Sequence, residues 1–410
     1  MVKRIYTMIY NELKEVNLCM LKILEELSYR DLEILNLIQK KGPITKKKLQ
    51  DTADMKSTTL NRVITILEDA KIIMEHGESE STGGRKAIEY DVSQTGFYII
   101  GIDISRTYVK LILTNMKLTI LKKEEFFMDE YYSPERTVEK IAIIIEKMLL
   151  DLFIKPNEVL GIGIGTVGPI DREKGIILNP RNFFNCNWVN VPIKEMIEKR
   201  LIIPCFIDNG ANTAVLAEYL FGKGKNLRNI VYIHCGIGLR SSIVTDGIII
   251  RAMNNREDAF GHMIVAHNGE LCSCGNHGCI ESYSSIDSII KKINANMKDP
   301  NTLISELNYK ETLKLKLLNN KDSVDVINKG AEILGIGISN IVRLLNPELV
   351  ILSGPLIMNF KYYYEKSIET FHNINAMDNR VVFSNGGKFK GDAIALGSAA
   401  MIMEVYLKSI

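Results

Sequence analysis

The sequence predicts an α/β protein that carries a winged helix-turn-helix at its N-terminal end. Three observations lead there. Residues 28–92 run helix, helix, turn, helix and then a two-stranded ribbon. From Phe97 the texture changes to strands alternating with helices, the pattern of sheets covered by helices. The 410 residues, 46% hydrophobic and 24% charged, supply material for several cores. That composition excludes a disordered tail, a collagen-like rod and a coiled coil. A formal net charge of +2 excludes a uniform polycation, so any basic face must be local.

Taken in order, residues 1–27 read as one amphipathic helix, with Ile5, Met8, Ile9, Leu13, Val16, Met20, Ile23, Leu24 and Leu27 at helical spacing. Packing or dimerisation is its expected role. Helices are predicted over Tyr29–Gln39, Thr45–Thr52 and Ser57–Asp69, the first ended by Gly42-Pro43. Short strands near Lys71–Met74 and Ala87–Val92 flank a polar loop, and Ser93–Gly96 reads as the linker. Beyond it, strands are expected near Tyr98–Ile104, Val109–Thr114, Leu160–Ile164, Cys205–Asp208, Ile230–His234, Ser242–Val244 and Leu349–Ser353. Helices are expected near Glu139–Leu150, at Ala211–Phe221 and through most of 284–342. No internal repeat is visible.

No run approaches the ~18 apolar residues that a membrane span needs. The opening MVKRIYTMIYNELKE is too acidic for a signal peptide, so a cytoplasmic protein with no membrane partner is expected. Seven cysteines, an odd number in a long chain, argue against a disulfide framework. Cys19, Cys186, Cys205 and Cys235 are expected to be ordinary buried thiols.

Between Lys40 and Arg62 stand seven basic residues against two acidic ones, a local surplus able to neutralise phosphates. Leu49, Ala53, Met55, Leu60, Val63, Ile64 and Leu67 bury one face of two crossed helices. That turns Ser57, Thr58, Asn61 and Arg62 outward at the start of the second helix, where short polar groups and an arginine can meet base edges. Lys46 and Lys47 are the candidate phosphate contacts. Gly84 and Arg85 in the loop between the strands suit close approach to a minor groove.

The segment from Gly261-His262 to Cys279 supplies an imidazole and three thiolates, Cys272, Cys274 and Cys279. Cys-x-Cys-x4-Cys with glycines inside is a compact turn that can aim three sulfurs at one point. His262 would complete a tetrahedral Cys3His zinc site, with His267 and His277 as competitors for the fourth place. Four protein ligands leave no open position, so the zinc is expected to be structural.

Several motifs carry a family resemblance. Gly101-Ile-Asp103, GIGIGTVGPID (Gly161–Asp171), IDNGAN (Ile207–Asn212), Gly236-Ile-Gly238 and FGHM…CSCGNHGCIESYSS together resemble the ROK family of repressors, open reading frames and sugar kinases. The head with its Gly-Gly-Arg wing is similar to the family's repressor branch, including the xylose repressors. The resemblance implies two actin-like (ribonuclease H-like) lobes around a sugar cleft. The first would span 97–207 with 388–410 returning to it. The second would span 208–387 and hold the zinc site and dimerisation helices.

The family's kinases bind ATP phosphates through DxGGTK and GTGxGxG loops and use the aspartate of NDAN as general base. Here Asp103 and Thr107 remain, but Ser105 and Arg106 stand at the two glycines and Tyr108 at the lysine. Side chains at those glycines would block close backbone approach to phosphate. In the second loop Ile237 replaces the threonine, while Arg240 and Ser242 replace later glycines. The base position is Gly210, which can take no proton from a sugar hydroxyl. The resemblance assigns sugar contacts to Asn209, His262 and Glu281, with Gly168 admitting the ring to the backbone. The family's further glutamate is Ala259 here, with Glu257 and Asp258 just before it as candidate substitutes.

The expectation is a non-enzymatic, sugar-responsive repressor of a carbohydrate-utilisation operon. Its partners would be double-stranded operator DNA, a pentose or hexose effector and further copies of itself, as dimer or tetramer. Two readings compete. Ala259 favours a body that only dimerises and has lost its ligand, while Gly210, Ile237 and Arg240 oppose a sugar kinase.

Overall fold

Ser28 opens the head with a capping box. Its hydroxyl accepts from the Asp31 N–H at 3.3 Å while the Asp31 carboxylate accepts from the Ser28 N–H at 2.9 Å, satisfying donors that a helix start leaves open. Helix α1 (Tyr29–Lys41) follows and stops at Gly42-Pro43. Next come β1 (Ile44–Thr45), α2 (Lys46–Ala53), capped by Thr45, and α3 (Ser57–Asp69). Leu32, Leu35, Ile38, Leu49, Leu60, Val63, Ile64 and Leu67 are buried in one core, as the spacing required. Strands β2 (Ile73–Glu78) and β3 (Ile88–Val92) make the ribbon, and β1 adds to β3 with Ile44 opposite Tyr90. The two-stranded ribbon of the sequence reading is therefore a three-stranded sheet, ordered β1-β3-β2. The extra strand is two residues long and hides behind a Gly-Pro pair that reads as a turn.

The computed structural model describes residues 26–78, 87–251, 259–297, 303–304, 321–375 and 380–407. The expected N-terminal helix (1–25 of it), Gly84 and Arg85 of the wing, and Glu257 and Asp258 lie outside the described residues.

The body uses one sheet plan twice. The first lobe comprises β4 (Tyr98–Ile104), β5 (Tyr108–Asn115), β6 (Ile120–Phe127), α4 (Pro134–Asp151) and β7 (Val159–Thr166). A small ribbon of β8 (Ile170–Asp171) and β9 (Ile176–Ile177), then α5 (Ile193–Leu201) and β10 (Cys205–Asn209), complete it. Its sheet runs β10-β7-β4-β5-β6, with β4, β7 and β10 parallel and β5 and β6 antiparallel. Helix α6 (Gly210–Phe221) leads to β11 (Ile230–Cys235), β12 (Leu239–Thr245) and β13 (Ile248–Ile250). Beyond them lie α7 (Glu281–Ser284), α8 (Ile286–Ala295), α9 (Lys321–Leu345) and β14 (Leu349–Ser353). Helices α10 (Pro355–Asn359) and α11 (Lys361–Ile374), strand β15 (Val382–Asn385) and helix α12 (Ala393–Leu407) end the described chain. The second sheet runs β13-β12-β11-β14-β15, with the same strand directions as the first. Order and direction match strand for strand, which is the two-lobed actin-like plan.

Helix α12 is AIALGSAAMIMEVYL, apolar on every side over its buried residues 393–403, as a covered helix must be. It lies across β4 and β7 and against α6. A Cβ placed on Gly101 would sit 1.9 Å from the Ala395 carbonyl oxygen, and one on Gly163 would sit 1.8 Å from that of Ser398. These strand glycines admit a helix to the sheet. On the opposite face, Ile100, Ile102 and Ile104 pack with Ile141, Ile145 and Met148 of α4. Both faces are covered, so the strands read as near-continuous apolar runs. The strand ends of β4, β7 and β10 and the β11–β12 turn then meet at one cleft, the usual place for a ligand in open α/β sheets.

Candidate ligand cleft, metal centre and nucleic-acid interface

His262, Cys272, Cys274 and Cys279 converge, with their ligand atoms all within 4.8 Å of one another. His262 Nδ1 lies 3.6 Å from Cys272 Sγ, and Cys274 Sγ lies 3.7 Å from Cys279 Sγ. Bonds of ~2.3 Å to sulfur and ~2.0 Å to nitrogen give a tetrahedron with edges of about 3.5–3.8 Å. A disulfide would bring two sulfurs to about 2.0 Å. The cluster therefore has the donors and the spacing to hold a metal ion. Gly275 and Gly278 make the turn, at φ +94° and +77°, and a Cβ on Gly278 would sit 1.7 Å from the Ala266 carbonyl oxygen. His277 Nδ1 lies 3.0 Å from the Gly269 carbonyl oxygen, and neither it nor His267 belongs to the cluster. Of the other thiols, Cys205 and Cys235 are buried as expected, whereas Cys186 is exposed on a loop and corrects that reading. Cys19 lies outside the described residues.

The metal turn walls one side of a cleft of about 450 Å³. Gly168, Asn209, His262 and Glu281, the four candidate sugar contacts, all line it. Local structure positions each. Asn209 ends β10 and caps α6, its side-chain oxygen accepting from the Ala211 N–H at 3.0 Å. Glu281 opens α7, and its Oε2 accepts from the Leu239 N–H at 2.8 Å. His262 turns Nδ1 towards Cys272, so one imidazole belongs to both cluster and cleft.

The groups that would run phosphoryl transfer are replaced or diverted. A Cβ on Gly210 would lie 3.3 Å from Arg240 Nη1 and from Ile394 side-chain carbons, so a guanidinium stands beside the vacated base position. Asp208, two residues earlier, is 1% exposed and accepts from Asn212 Nδ2 at 2.9 Å and from Arg251 Nε at 3.0 Å. Arg172 Nε stands 3.4 Å from the same carboxylate. Asp208 is thus held by two cations and does not line the cleft.

Asp103 is also buried. Tyr108, at the family's lysine position, donates its hydroxyl to Asp103 Oδ2 at 2.8 Å. Burial pushes the Asp103 carboxyl up to about 6, against the pull of the Tyr108 hydrogen bond and of the Lys110 and Arg240 charges. Burial, with Arg240 and Arg106 nearby, holds His234 well below the ordinary histidine range, so it is neutral. Its Nδ1 is buried with no hydrogen-bond partner among the described residues.

Two side chains lace the lobes across the cleft. Arg240 on β12 donates Nη1 to the Thr166 carbonyl of β7 at 3.3 Å. Arg181 donates Nη1 to the Ser273 carbonyl in the metal turn, and its own carbonyl accepts from Arg106 Nε at 2.6 Å. Arg181, with Asn179 and Asn182 in the same loop, escaped the sequence reading although all three reach the cleft. The available signal was an Asn-Pro-Arg-Asn turn of four polar or turn-forming residues after an apolar strand.

In the head, Ser57, Thr58, Asn61 and Arg62 are exposed on the first turns of α3, as the helical spacing required. Lys47 is exposed, and Lys46 is half-buried with Nζ 5.2 Å from the Tyr90 ring centroid. Arg62 differs from the simple outward reading. Its Nη2 lies 2.9 Å from Oδ1 of Asp31, the residue that closes the α1 capping box.

The ROK family model matches residues 99–404, and a model described as winged helix-turn-helix DNA-binding matches residues 21–74. Over 332 residues the chain is 30% identical to the xylose repressor of Bacillus subtilis (strain 168), spanning 80% of this chain and 83% of that protein. Among solved structures it is similar to a ROK family transcriptional regulator described as a homolog of the E. coli MLC protein. The TM-score is 0.73 at 22% identity, with 92% of this chain and 96% of that one covered. A ROK hexokinase from Thermus thermophilus superposes with a TM-score of 0.61 at 22% identity, over 74% of this chain and 97% of that one. At that identity both structural likenesses bear on the fold.

Proposed function

From the premise that the chain belongs to the ROK family, we propose that it is a sugar-responsive transcriptional repressor whose kinase-like body senses and does not catalyse. One observation carries the reading. A cleft lined by all four candidate sugar contacts sits beside a base position that is Gly210 faced by Arg240, in a chain that also carries a winged reading head. A sugar can be held there, while Gly210 offers no group at the base position to take the proton from its hydroxyl.

In this reading the head (28–92) binds double-stranded operator DNA in the cytoplasm. Ser57, Thr58, Asn61 and Arg62 face base edges, while Lys46 and Lys47 face phosphates. Gly84 and Arg85 belong to the wing's minor-groove contact. The first lobe takes 97–207 with 388–410, the second 208–387. Two copies related by a two-fold axis present two heads to a pseudo-palindromic site, and a tetramer doubles that arrangement.

His262, Cys272, Cys274 and Cys279 would hold zinc, whose four bonds cross-link the turn and leave no coordination site for chemistry. The residues themselves do the positioning. His262, tied down at Nδ1, and Glu281, tied down by the Leu239 N–H, meet the sugar as a preset pair. The similarity to the xylose repressor makes pentoses and hexoses the effector class to try first.

The sugar acts by preferring one lobe arrangement over another, which biases the heads through their contact with the body. The decisive assay is a gel shift with the protein's own upstream DNA, run across a salt series with and without a sugar panel. Specific retention that weakens with salt and changes with one sugar is the expected result. Operator affinity that no sugar alters, with no calorimetric heat, would leave a body that only dimerises. Turnover of ATP with any sugar would overturn the non-enzymatic reading.

A further inference from the structure

Arg251 follows β13, the edge strand of the second sheet, and its guanidinium reaches two carboxylates that belong to other elements. Its Nε donates to Asp208 Oδ2 at 3.0 Å, near the end of β10, the edge strand of the first sheet. Its Nη2 donates to Glu404 Oε2 on α12 at 3.3 Å. Arg172 faces the same Asp208 oxygen, so two guanidinium groups balance two carboxylates. Removing one partner would leave charge uncompensated at the buried Asp208, so the set resists partial loss.

Each carboxylate leads to a different part of the molecule. The second oxygen of Asp208 accepts from the Asn209 N–H at 2.7 Å and from Asn212 Nδ2 at 2.9 Å. Those bonds hold the turn from which Asn209 lines the cleft. Glu404 leads to the head. Its helix neighbours Met403 and Leu407 belong to the same buried core as Leu32, Ile34 and Leu35 of α1, and α12 touches α1. One guanidinium, itself outside the cleft, therefore joins the turn behind a cleft residue to the helix that abuts the reading head.

We propose that Arg251 is a positioning residue of the effector response, fixing the Asn209 turn through Asp208 and passing the lobe arrangement to α12 and the head through Glu404. This rests on the sensor reading of the cleft and adds the means by which that site is read out. A sugar that turns the second lobe carries Arg251 with it, and the bond to Glu404 moves α12 accordingly.

Two variants of the full chain divide the two arms. Glu404→Gln leaves both cations on Asp208, so calorimetry with xylose and glucose should find sugar affinity within twofold of wild type. Its change in operator affinity on adding sugar, read by gel shift on the protein's own upstream DNA, should shrink at least fivefold. Arg251→Met should weaken sugar binding at least fivefold and lose the response as well. Arg251→Lys, whose ammonium lacks the fork that meets both carboxylates, should recover only part. Without sugar, the effects of Arg251→Met and Glu404→Gln on operator affinity should be non-additive, since the two residues act as one unit. A purely structural role would lower the urea midpoint and leave the response of the folded variants intact. A wild-type response in folded Glu404→Gln, or additive sugar-free effects, would overturn the inference and leave the sensor reading standing. A wild type that answers no sugar would overturn the sensor reading, and non-additive sugar-free affinities would still establish the tie from Arg251 to the head.

Discussion

Lys117 Nζ lies 2.6 Å from Asp91 Oδ1, and through that pair the β5–β6 turn of the body grips the wing of the head. The same ammonium donates to the Gly42 carbonyl at 2.9 Å, and Gln39 Nε2 returns a bond to the Met116 carbonyl at 3.2 Å. The other end of β5 is Tyr108, whose hydroxyl holds Asp103 near the cleft. One strand therefore runs from the ligand side of the first lobe to the head, a rigid element that both ends can bias.

Lys117→Met tests this connection. Asp91 is 4% exposed, and losing a charge-assisted partner there should cost about 1.5–3 kcal/mol of stability, read by urea unfolding. The informative readout is separate. At a temperature where the variant is folded, it should still bind operator DNA, but the change in affinity on adding effector should shrink or vanish. An effector response equal to wild type would remove β5 as the route.

The head was legible in the sequence because its cues are local: a basic surplus between Lys40 and Arg62, a helical stripe from Leu49 to Leu67, and the outward Ser57, Thr58 and Asn61. The metal cluster was legible because three of its four ligands fall within eight residues. The two lobes were legible through the family motifs, while the repetition of one strand order shows only in the folded sheets. Arg181 was not legible either, since its reach to the metal turn depends on lobe packing. Asp208 shows the limit from the other side. Its position two residues before Gly210 says nothing of Arg251, 43 positions away, which only the fold brings to its carboxylate.

Arg62 has two partners to choose between, Asp31 within the head and DNA. Arg62→Ala should weaken specific operator binding by about 1–3 kcal/mol while changing stability by less than about 1 kcal/mol, since its side chain is half exposed. Asp31→Asn separates the two roles. It releases the guanidinium and should leave operator affinity equal or higher, although the weakened cap lowers the melting temperature. Lys47→Ala should mainly reduce the salt slope, by about 1. Gel shifts across a salt series read all three. Unchanged binding in Arg62→Ala and Lys47→Ala together would show that α3 does not face DNA.

For the metal centre, elemental analysis of the purified chain should find about one zinc per chain, and Cys274→Ser should lose it. Chelation should lower the melting temperature and also weaken effector binding, because His262 serves cluster and cleft together. A well-folded wild type free of zinc, with unimpaired effector binding, would remove the assignment.

Asp103 gives a pH signature with a definite sign. Its carboxyl sits at about 6 in the folded chain, raised by burial from an ordinary 3.8, and its residue is 2% exposed. Between those values the folded state keeps a proton that the unfolded state releases. Stability contributed by this group is therefore full below about pH 4 and falls as pH rises, levelling off above about pH 6. The whole fall amounts to about 3 kcal/mol at 1.36 kcal/mol per unit. Asp103→Asn keeps an oxygen for the Tyr108 hydroxyl and removes the titration. Its stability relative to wild type should accordingly climb through that window and stay level above it, read by urea unfolding from pH 4 to 8. Parallel curves for the two proteins would mean that Asp103 is ionised throughout, and that its buried charge is carried by the Arg240 and Lys110 field instead.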